Sequence, residues 1–363
     1  MKITGIRVYP YRYTPKGGAF MLSGGRMFTG FDSVIVAVDT DAGLVGWGEH
    51  ASAPAYLDSL HQGAIAALRH LAPAITGMDP RGVTLVNDTM NAALRGHGYA
   101  KQAIDIACWD LLGKAASLPL SVLLGGVQQE ELSVLNFVKM DTPDAMRARC
   151  DEFYDAGHRQ VQIKVGGNWR EDVERITTVW ESAQRFDTVI VDANTWWTPR
   201  EARLVLKAVS DLDIHIEQPC NTMESNLSVR RATEFPFILD EALDSLDALE
   251  RAHSLDGFDA AGLKMSRFGG LSGVKDARDM CVRWGKPVNI DDMSGGEIIA
   301  ATTAHLAAST PAKYVVTTSL NTTYVNESIA SGLFSAGGRA KAPAGPGLGL
   351  EIDEAALGTP ITM

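Results

Sequence analysis

Apolar and polar positions follow three regimes along the chain. Over residues 1–50 they alternate at every second position, in MKITGIRVYPYRY and again in SVIVAVDTDAGLVGWGEH, as antiparallel strands require, with DAG supplying a hairpin turn. From about 55 to 125 the spacing becomes helical, in LDSLHQGAIAALRHLAPAI, PRGVTLVNDTMNAAL and AKQAIDIACWDLLGKAA, the last closed by LGK and a following LP. From about 130 to 330, short apolar runs alternate with amphipathic segments such as REDVERITTVWESAQ. The runs are ELSVLNFV, RQVQIKV, DTVIVDAN, DIHIEQP, FPFILDEA, AAGLKMS, KPVNIDDM and KYVVTTSL, eight strand candidates, which is enough to close a barrel. The pattern predicts an α/β fold: a modified (β/α)8 TIM barrel behind an N-terminal α+β capping domain. The capping domain is assigned to residues 1–125, the barrel to 126–335 and a Gly/Pro-rich tail that returns to the cap to 336–363, with LPLSVLLGG as the link between the first two.

Five of the runs end in a charged residue. VQIK ends at Lys164, VIVD at Asp192, IHIE at Glu217, FILD at Asp240 and AAGLK at Lys264, at intervals of 23 to 28 residues. That interval is roughly one strand, one helix and two loops, and in a barrel the C-terminal strand ends open onto one mouth. Three carboxylates would then share a pocket with two lysines. Bare, the acids would repel and raise one another's pKa, so the arrangement asks for a cation; all-oxygen ligation with sites left for water and substrate suits Mg²⁺. The plainer alternative is that such carboxylates cap helices or lie solvated on the rim. Lys164 and Lys264 fall four strands apart, on opposite sides of an eight-stranded ring, as two acid/base groups on opposite faces of one substrate would. A partly desolvated lysine near Mg²⁺ is expected to have a lowered pKa and to act as a base, while the metal stabilises the oxyanion formed when a proton leaves the carbon beside a carboxylate. A salt bridge to the same carboxylates is the plainer role for each lysine.

Composition narrows the partner. With 363 residues and 45% hydrophobic content the chain can bury a sizeable core. A net charge of -11 and a pI near 5.2 argue against nucleic acid or an anionic membrane, leaving a small molecule as the expected partner, a carboxylate by the chemistry above. Cys108, Cys150, Cys220 and Cys281 have no CxxC spacing, and there is no apolar leader or 18-residue apolar span, so a cytoplasmic protein with reduced thiols is expected.

QIKVGG, VDAN, IEQP, LDEA and GLKMSRFGGLSG, together with GLVGWGE and IDIACWDLLGK near the N-terminus, resemble the enolase superfamily in its muconate lactonizing enzyme-like subgroup. Its chemistry, a Lys or His base with Mg²⁺ at an enediolate, is general knowledge of the superfamily and no result of these spacings. The resemblance implies Asp192, Glu217 and Asp240 as Mg²⁺ ligands and Lys164 and Lys264 as the acid/base pair. Two departures matter. The subgroup often carries Lys-x-Lys on the second barrel strand, whereas Gln162 stands here at the first position, so one positive charge near Lys164 is missing. Mandelate racemase itself uses a His–Asp pair on later strands, whereas the seventh strand here reads VNIDDM; His305, in a helical run, is expected to be packed or solvated.

Around that centre, Asn194 and Glu241 would order water or the base, and Asp291 or Asp292 would bond Lys264 or cap the helix starting at GEIIAATTAHL. Thr318, with Thr317, Ser319 and Asn321, would meet substrate after strand eight. The Gly-rich loop at 22–30 would act as a lid, with Arg26, Met27, Phe28 and Tyr56 facing the substrate and Trp196 and Trp197 near the mouth. SGGR in this loop, QIKVGG and TTSLN are similar to a branch acting on proline derivatives. That similarity implies dehydration of a cis-3-hydroxy-L-proline-type amino acid, with epimerisation of proline betaine or another derivative, or cycloisomerisation, as alternatives. Leu320 argues against the betaine, because an aromatic ring there would help to cage a permanent cation. A non-catalytic scaffold that binds a small acid is the alternative from another class. Capped barrels commonly associate, so a homo-oligomer is expected.

Overall fold

The computed structural model describes residues 1–56 and 59–363; Leu57 and Asp58, where the first helical run begins, lie outside the described residues. Three antiparallel strands, Ile3–Tyr13, Phe31–Thr40 and Val45–Ser52, form a sheet that the tail strand Ile361–Thr362 extends along its free edge. Alternation along these strands feeds two cores. Ile6, Val8, Val34, Val36 and Val38 face the helices His61–Ile75, Val83–Ala93 and Gly98–Ala116, whereas Tyr9, Tyr13, Ile35, Ala37 and Trp47 join the core of the barrel. The sheet is thus a plate between two apolar layers. VGWG has a steric reason: a Cβ on Gly46 would lie 2.3 Å from the Ala107 carbonyl oxygen, and one on Gly48 only 1.7 Å from that of Ala103. The helix Gly98–Ala116 therefore rests directly on strand backbone. Asp110 fastens it there, accepting from Trp47 N–H (2.9 Å) and from Leu348 N–H in the tail (2.8 Å).

The barrel strands are Leu135–Val138, Gln160–Lys164, Thr188–Asp192, His215–Glu217, Phe237–Leu239, Ala260–Lys264, Val288–Asp291 and Val315–Thr318, parallel and neighbours in sequence order. A parallel bridge between Val134 and Thr318 brings the first strand back to the eighth. ELSVLNFV is broken into two pieces. Leu132–Ser133 pairs with the tail strand Arg339–Lys341, and only Leu135–Val138 joins the ring. Seven of the eight predicted helix positions are filled; after strand eight the chain makes a short turn at Asn321–Thr323 and leaves for the tail. Asn168, Thr198, Thr222 and Ser245 cap helices, Thr198 in a reciprocal box with Glu201.

The helix Glu297–Ala308 is not capped by Asp291 or Asp292. Its first N–H groups, of Gly296 and Ile299, donate to Glu49 of the cap sheet, at 2.9 Å for the nearer Gly296 contact and 3.3 Å for Ile299. A buried carboxylate at a helix N-terminus thus ties cap to barrel. Burial nevertheless raises the Glu49 pKa to about 7, against the pull of Ser33 and the helix N–H groups. The folded state then holds the proton more tightly than the unfolded one, so stability falls as pH rises from 4.5 towards 7. Glu49→Gln is expected to flatten that slope in thermal unfolding followed from pH 5 to 8; an unaltered slope would remove Glu49 as its source.

His305 is packed: Nδ1 accepts from Ser121 N–H at 3.2 Å, Nε2 meets the Leu348 carbonyl at 3.1 Å, and burial pushes its pKa down to about 4. The four cysteines are free and buried, and among the described residues no helix is long and apolar enough to cross a membrane.

Candidate active site

Strand register sets the site. Lys164, Asp192 and Glu217 are direct ladder neighbours across three adjacent strands, and Lys264 faces Asp291 across the pair of strands opposite. Asp240 follows Leu239, the last residue of strand five. All six line one cavity of ≈ 500 Å³. A compact ligand fits such a space better than an extended one.

Each acid already has a donor. Lys164 Nζ meets Asp192 Oδ2 at 2.6 Å, Gln162 Nε2 donates to Glu217 Oε2 at 2.7 Å, and Lys264 Nζ bridges Asp240 (2.8 Å) and Asp291 (3.2 Å). Among the described residues, no three His, Cys, Asp or Glu side chains converge closely enough to hold an ion as they stand. The ammonium groups occupy that role. The donor set nonetheless fits a hard cation. The three carboxylates are only 1 to 3% exposed, and the Glu217 pKa is raised well above the carboxylate range by burial and then by Asp192 and Asp240. Gln162 contributes a hydrogen bond but no charge, so the missing lysine leaves Glu217 without a neutralising partner of its own. For Asp240, burial is outweighed by Arg267 and Lys264, and its pKa is lowered.

A lowered lysine pKa is expected beside Mg²⁺; with the protein groups alone Lys264 goes the other way. Burial alone would lower the Lys264 pKa, but Asp240 and Asp291 outweigh it and the pKa is raised. Lys264 is held as an ammonium because two acids face it directly. Asp291 in turn has its pKa raised to about 6 by burial, against the pull of Lys264.

The surrounding residues sort by reach. Asn194 lines the cavity, in a left-handed backbone conformation, and donates to Glu241 Oε1 at 3.1 Å; burial and then Asp240 raise the Glu241 pKa to about 7. Tyr56 donates to Asp240 Oδ2 at 2.8 Å. Asp292 accepts from Ser266 Oγ and Met293 N–H, and is a neighbour of the Lys264 partner rather than the partner itself. Thr318 is not a wall of the cavity: it is buried in the closure of the ring, paired with Ile290 and Val134. Tyr324 takes its place, with its hydroxyl on Asn321 Oδ1 at 2.6 Å. Arg26 also turns away, donating to the Ser23 and Asn194 carbonyls at 2.9 and 2.7 Å, while Met27 is 55% exposed and only Phe28 of that trio reaches inward.

The predicted lid therefore lies latched. Gly24 N–H donates to the Gly166 carbonyl at 2.8 Å and Ser23 Oγ to that of Val165, while Trp196, 49% exposed, covers Gly24. Trp197 is buried, with its indole N–H on Asp172. Gly24 has φ 68° and a Cβ there would lie 2.2 Å from the Trp196 ring. Gly24→Ala is expected to loosen the latch and raise KM several-fold with little change in unfolding temperature; an unchanged KM would argue against the lid as a determinant of binding.

Two features were not read from sequence. Arg267, one turn beyond Lys264, pairs with Asp240 and stacks 5.6 Å from the Tyr56 ring. The second is that Phe20, Phe31, Phe137 and Tyr324 join the expected Phe28 and Tyr56 in an aromatic wall. Leu320, weighed against a cationic ligand, is fully buried and off the cavity, and the rings arrive from other segments. That ground for setting aside a betaine is withdrawn.

Residues 26–125 match the model of the mandelate racemase / muconate lactonizing enzyme N-terminal domain, and residues 145–356 that of the enolase C-terminal domain-like family. The chain is 40% identical to the cis-3-hydroxy-L-proline dehydratase of Roseibium aggregatum over 363 residues, 99% of each chain. It is 31% identical to the N-succinyl-L-Arg/Lys racemase of Bacillus cereus, over 75% of this chain and 74% of that one. A crystal structure of an enolase-superfamily member from Roseovarius nubinhibens, complexed with magnesium, superposes with a TM-score of 0.94 at 33% identity, covering 100% of this chain and 99% of that one.

Proposed function

We propose a reaction from one premise: the chain belongs to the mandelate racemase/muconate lactonizing enzyme family, in the enolase superfamily, and is an enzyme of that superfamily. The reaction is dehydration of a cis-3-hydroxy-L-proline-type amino acid. One observation carries it: two lysines on opposed barrel strands front the same small cavity. In the cis isomer the hydroxyl shares a ring face with the carboxylate, so the α-hydrogen lies on the other face. Elimination then needs a base on one side and an acid on the other.

Lys164 takes the α-proton, and the electron pair of that C–H bond becomes the new double bond as the C–O bond at the β-carbon breaks. Lys264, which its two acid partners hold protonated, supplies the proton that turns the departing hydroxyl into water. A Mg²⁺ ion held by Asp192, Glu217 and Asp240 would supply positive charge against the negative charge that grows on the substrate carboxylate. Tyr56 and Arg267 keep Asp240 oriented, Gln162 does so for Glu217, and the latched lid excludes water. A homo-oligomer is part of the same proposal, checked by sedimentation.

A second reading has its own support. The aromatic wall suits a quaternary ammonium, and the same two lysines could remove a proton on one face and return it on the other, epimerising an amino-acid betaine. Incubation in D₂O with Mg²⁺, followed by proton NMR, separates the two. With cis-3-hydroxy-L-proline the dehydratase consumes substrate to a product lacking the β-hydroxyl, whereas with proline betaine the α-signal is lost and the optical rotation, read alongside, decays as the mirror isomer forms. No α-exchange with either compound would leave only an acid-binding scaffold.

A further inference from the structure

The third cap helix, Gly98–Ala116, reaches both loops that flank Lys264. Gln102, fully buried, donates through Nε2 to Asp292 Oδ2 at 3.0 Å after strand seven. One turn on, Asp105 accepts from Ser272 N–H (3.0 Å) and Ser272 Oγ (2.5 Å), and Trp109 Nε1 donates to Ser272 Oγ at 2.9 Å, in the segment after strand six. A cap helix so placed can fix Lys264 as well as cover the cavity. Asp291 is the weak link: its Oδ2 holds Lys264, but its Oδ1 is buried with no partner among the described residues, where only Lys264 and its own backbone orient it. That backbone is pinned at the next residue, where Asp292 takes Gln102 on one oxygen and Ser266 (2.5 Å) and Met293 N–H (2.8 Å) on the other.

We propose that Gln102 and Asp292 are positioning residues for Lys264, through which the capping domain sets the alignment of one of the two acid/base groups. The proposal rests on the acid/base role given to Lys264 above. Buried side chains on both sides of Asp292 leave its carboxylate one orientation, and the 291–292 peptide follows it. Loss of the Gln102 bond frees that peptide to rotate, and Asp291 then presents Lys264 at a different angle. Lys164, across the ring with its own partner Asp192, is not connected to this chain of contacts.

The test reads the two faces separately. L-proline and D-proline lack the β-hydroxyl, so each reports only α-proton exchange, followed by NMR in D₂O with Mg²⁺; the α-hydrogen of the L-isomer faces Lys164 and that of the D-isomer faces Lys264, which removes it through its neutral fraction. Gln102→Leu, which removes the donor at nearly constant volume, is expected to slow D-proline exchange about tenfold while L-proline exchange stays within about twofold of the parent. Ser266→Ala removes the opposite donor without touching the cap and is expected to act in the same direction, which keeps the test open if Gln102→Leu fails to fold. Equal losses on both faces, or none, would overturn the positioning role. Lys264→Ala is the control: if it leaves D-proline exchange intact, the role of Lys264 itself has failed, whereas loss there with no loss in Gln102→Leu and Ser266→Ala condemns only the inference about Gln102 and Asp292.

Discussion

Lys164→Ala is expected to lower kcat by about 10²–10⁴-fold, the usual contribution of a positioned general base. Lys164 is 7% exposed, lies 2.6 Å from Asp192 and stands 5.4 Å from the Phe137 ring, so it can meet a substrate on one face of the cavity only. A plain salt bridge would predict something different. Removing one partner of a buried ion pair leaves Asp192 unpaired and should destabilise the protein, but saturating Mg²⁺ would then restore activity along with stability. A general base predicts that the α-proton of the L-isomer stops exchanging in D₂O even when thermal unfolding shows the protein folded and ion-bound. The rate of exchange, measured beside the unfolding temperature, separates the two, and unchanged turnover would strip Lys164 of its role.

The centre of the site was legible because strand geometry is local. Once VQIK, VIVD, IHIE, FILD and AAGLK are strands of one parallel ring, their last residues have no freedom about which end they occupy, and register places Lys164, Asp192 and Glu217 side by side. The same reasoning failed at Thr318, also a terminal strand residue, because strand eight must close on strand one and the bridge to Val134 uses that position. It failed again at the helix Glu297–Ala308, where nearby aspartates looked like caps but Glu49 arrives from 247 residues away. Gln102 to Asp292 spans 190 residues and Tyr56 to Asp240 spans 184, and periodicity carries no information about such pairs. The rise that protein groups alone give the Lys264 pKa is not legible in the sequence for a related reason: burial is, but Asp291 is one of two possible partners and its approach cannot be weighed against desolvation. Local rules read the ring, and approach between distant segments wrote the rest.

Glu217→Gln is expected to move stability in opposite directions with and without a divalent ion. In the ion-free protein Glu217 is unfavourable when charged, because burial, Asp192 and Asp240 all raise its pKa, and Gln162 offers it only a neutral donor. A carboxyl whose pKa is raised on folding binds more protons folded than unfolded, so ion-free stability should fall as pH climbs above 4.5, the ordinary value. Glutamine keeps an oxygen for the Gln162 donor and removes the charge, so in EDTA at pH 8 the variant should unfold no lower than the parent and with a shallower pH slope. Magnesium reverses the order. An ion at 100 times its Kd stabilises the parent by about 2.7 kcal/mol, whereas a site reduced to two carboxylates should bind far more weakly and show little shift at the same concentration. Thermal unfolding at pH 8, in EDTA and in millimolar Mg²⁺, reads both arms in one experiment. A parent and variant with equal Mg²⁺-dependent shifts would mean that Glu217 holds no ion, and the repulsion built into the strand ends would then need another explanation.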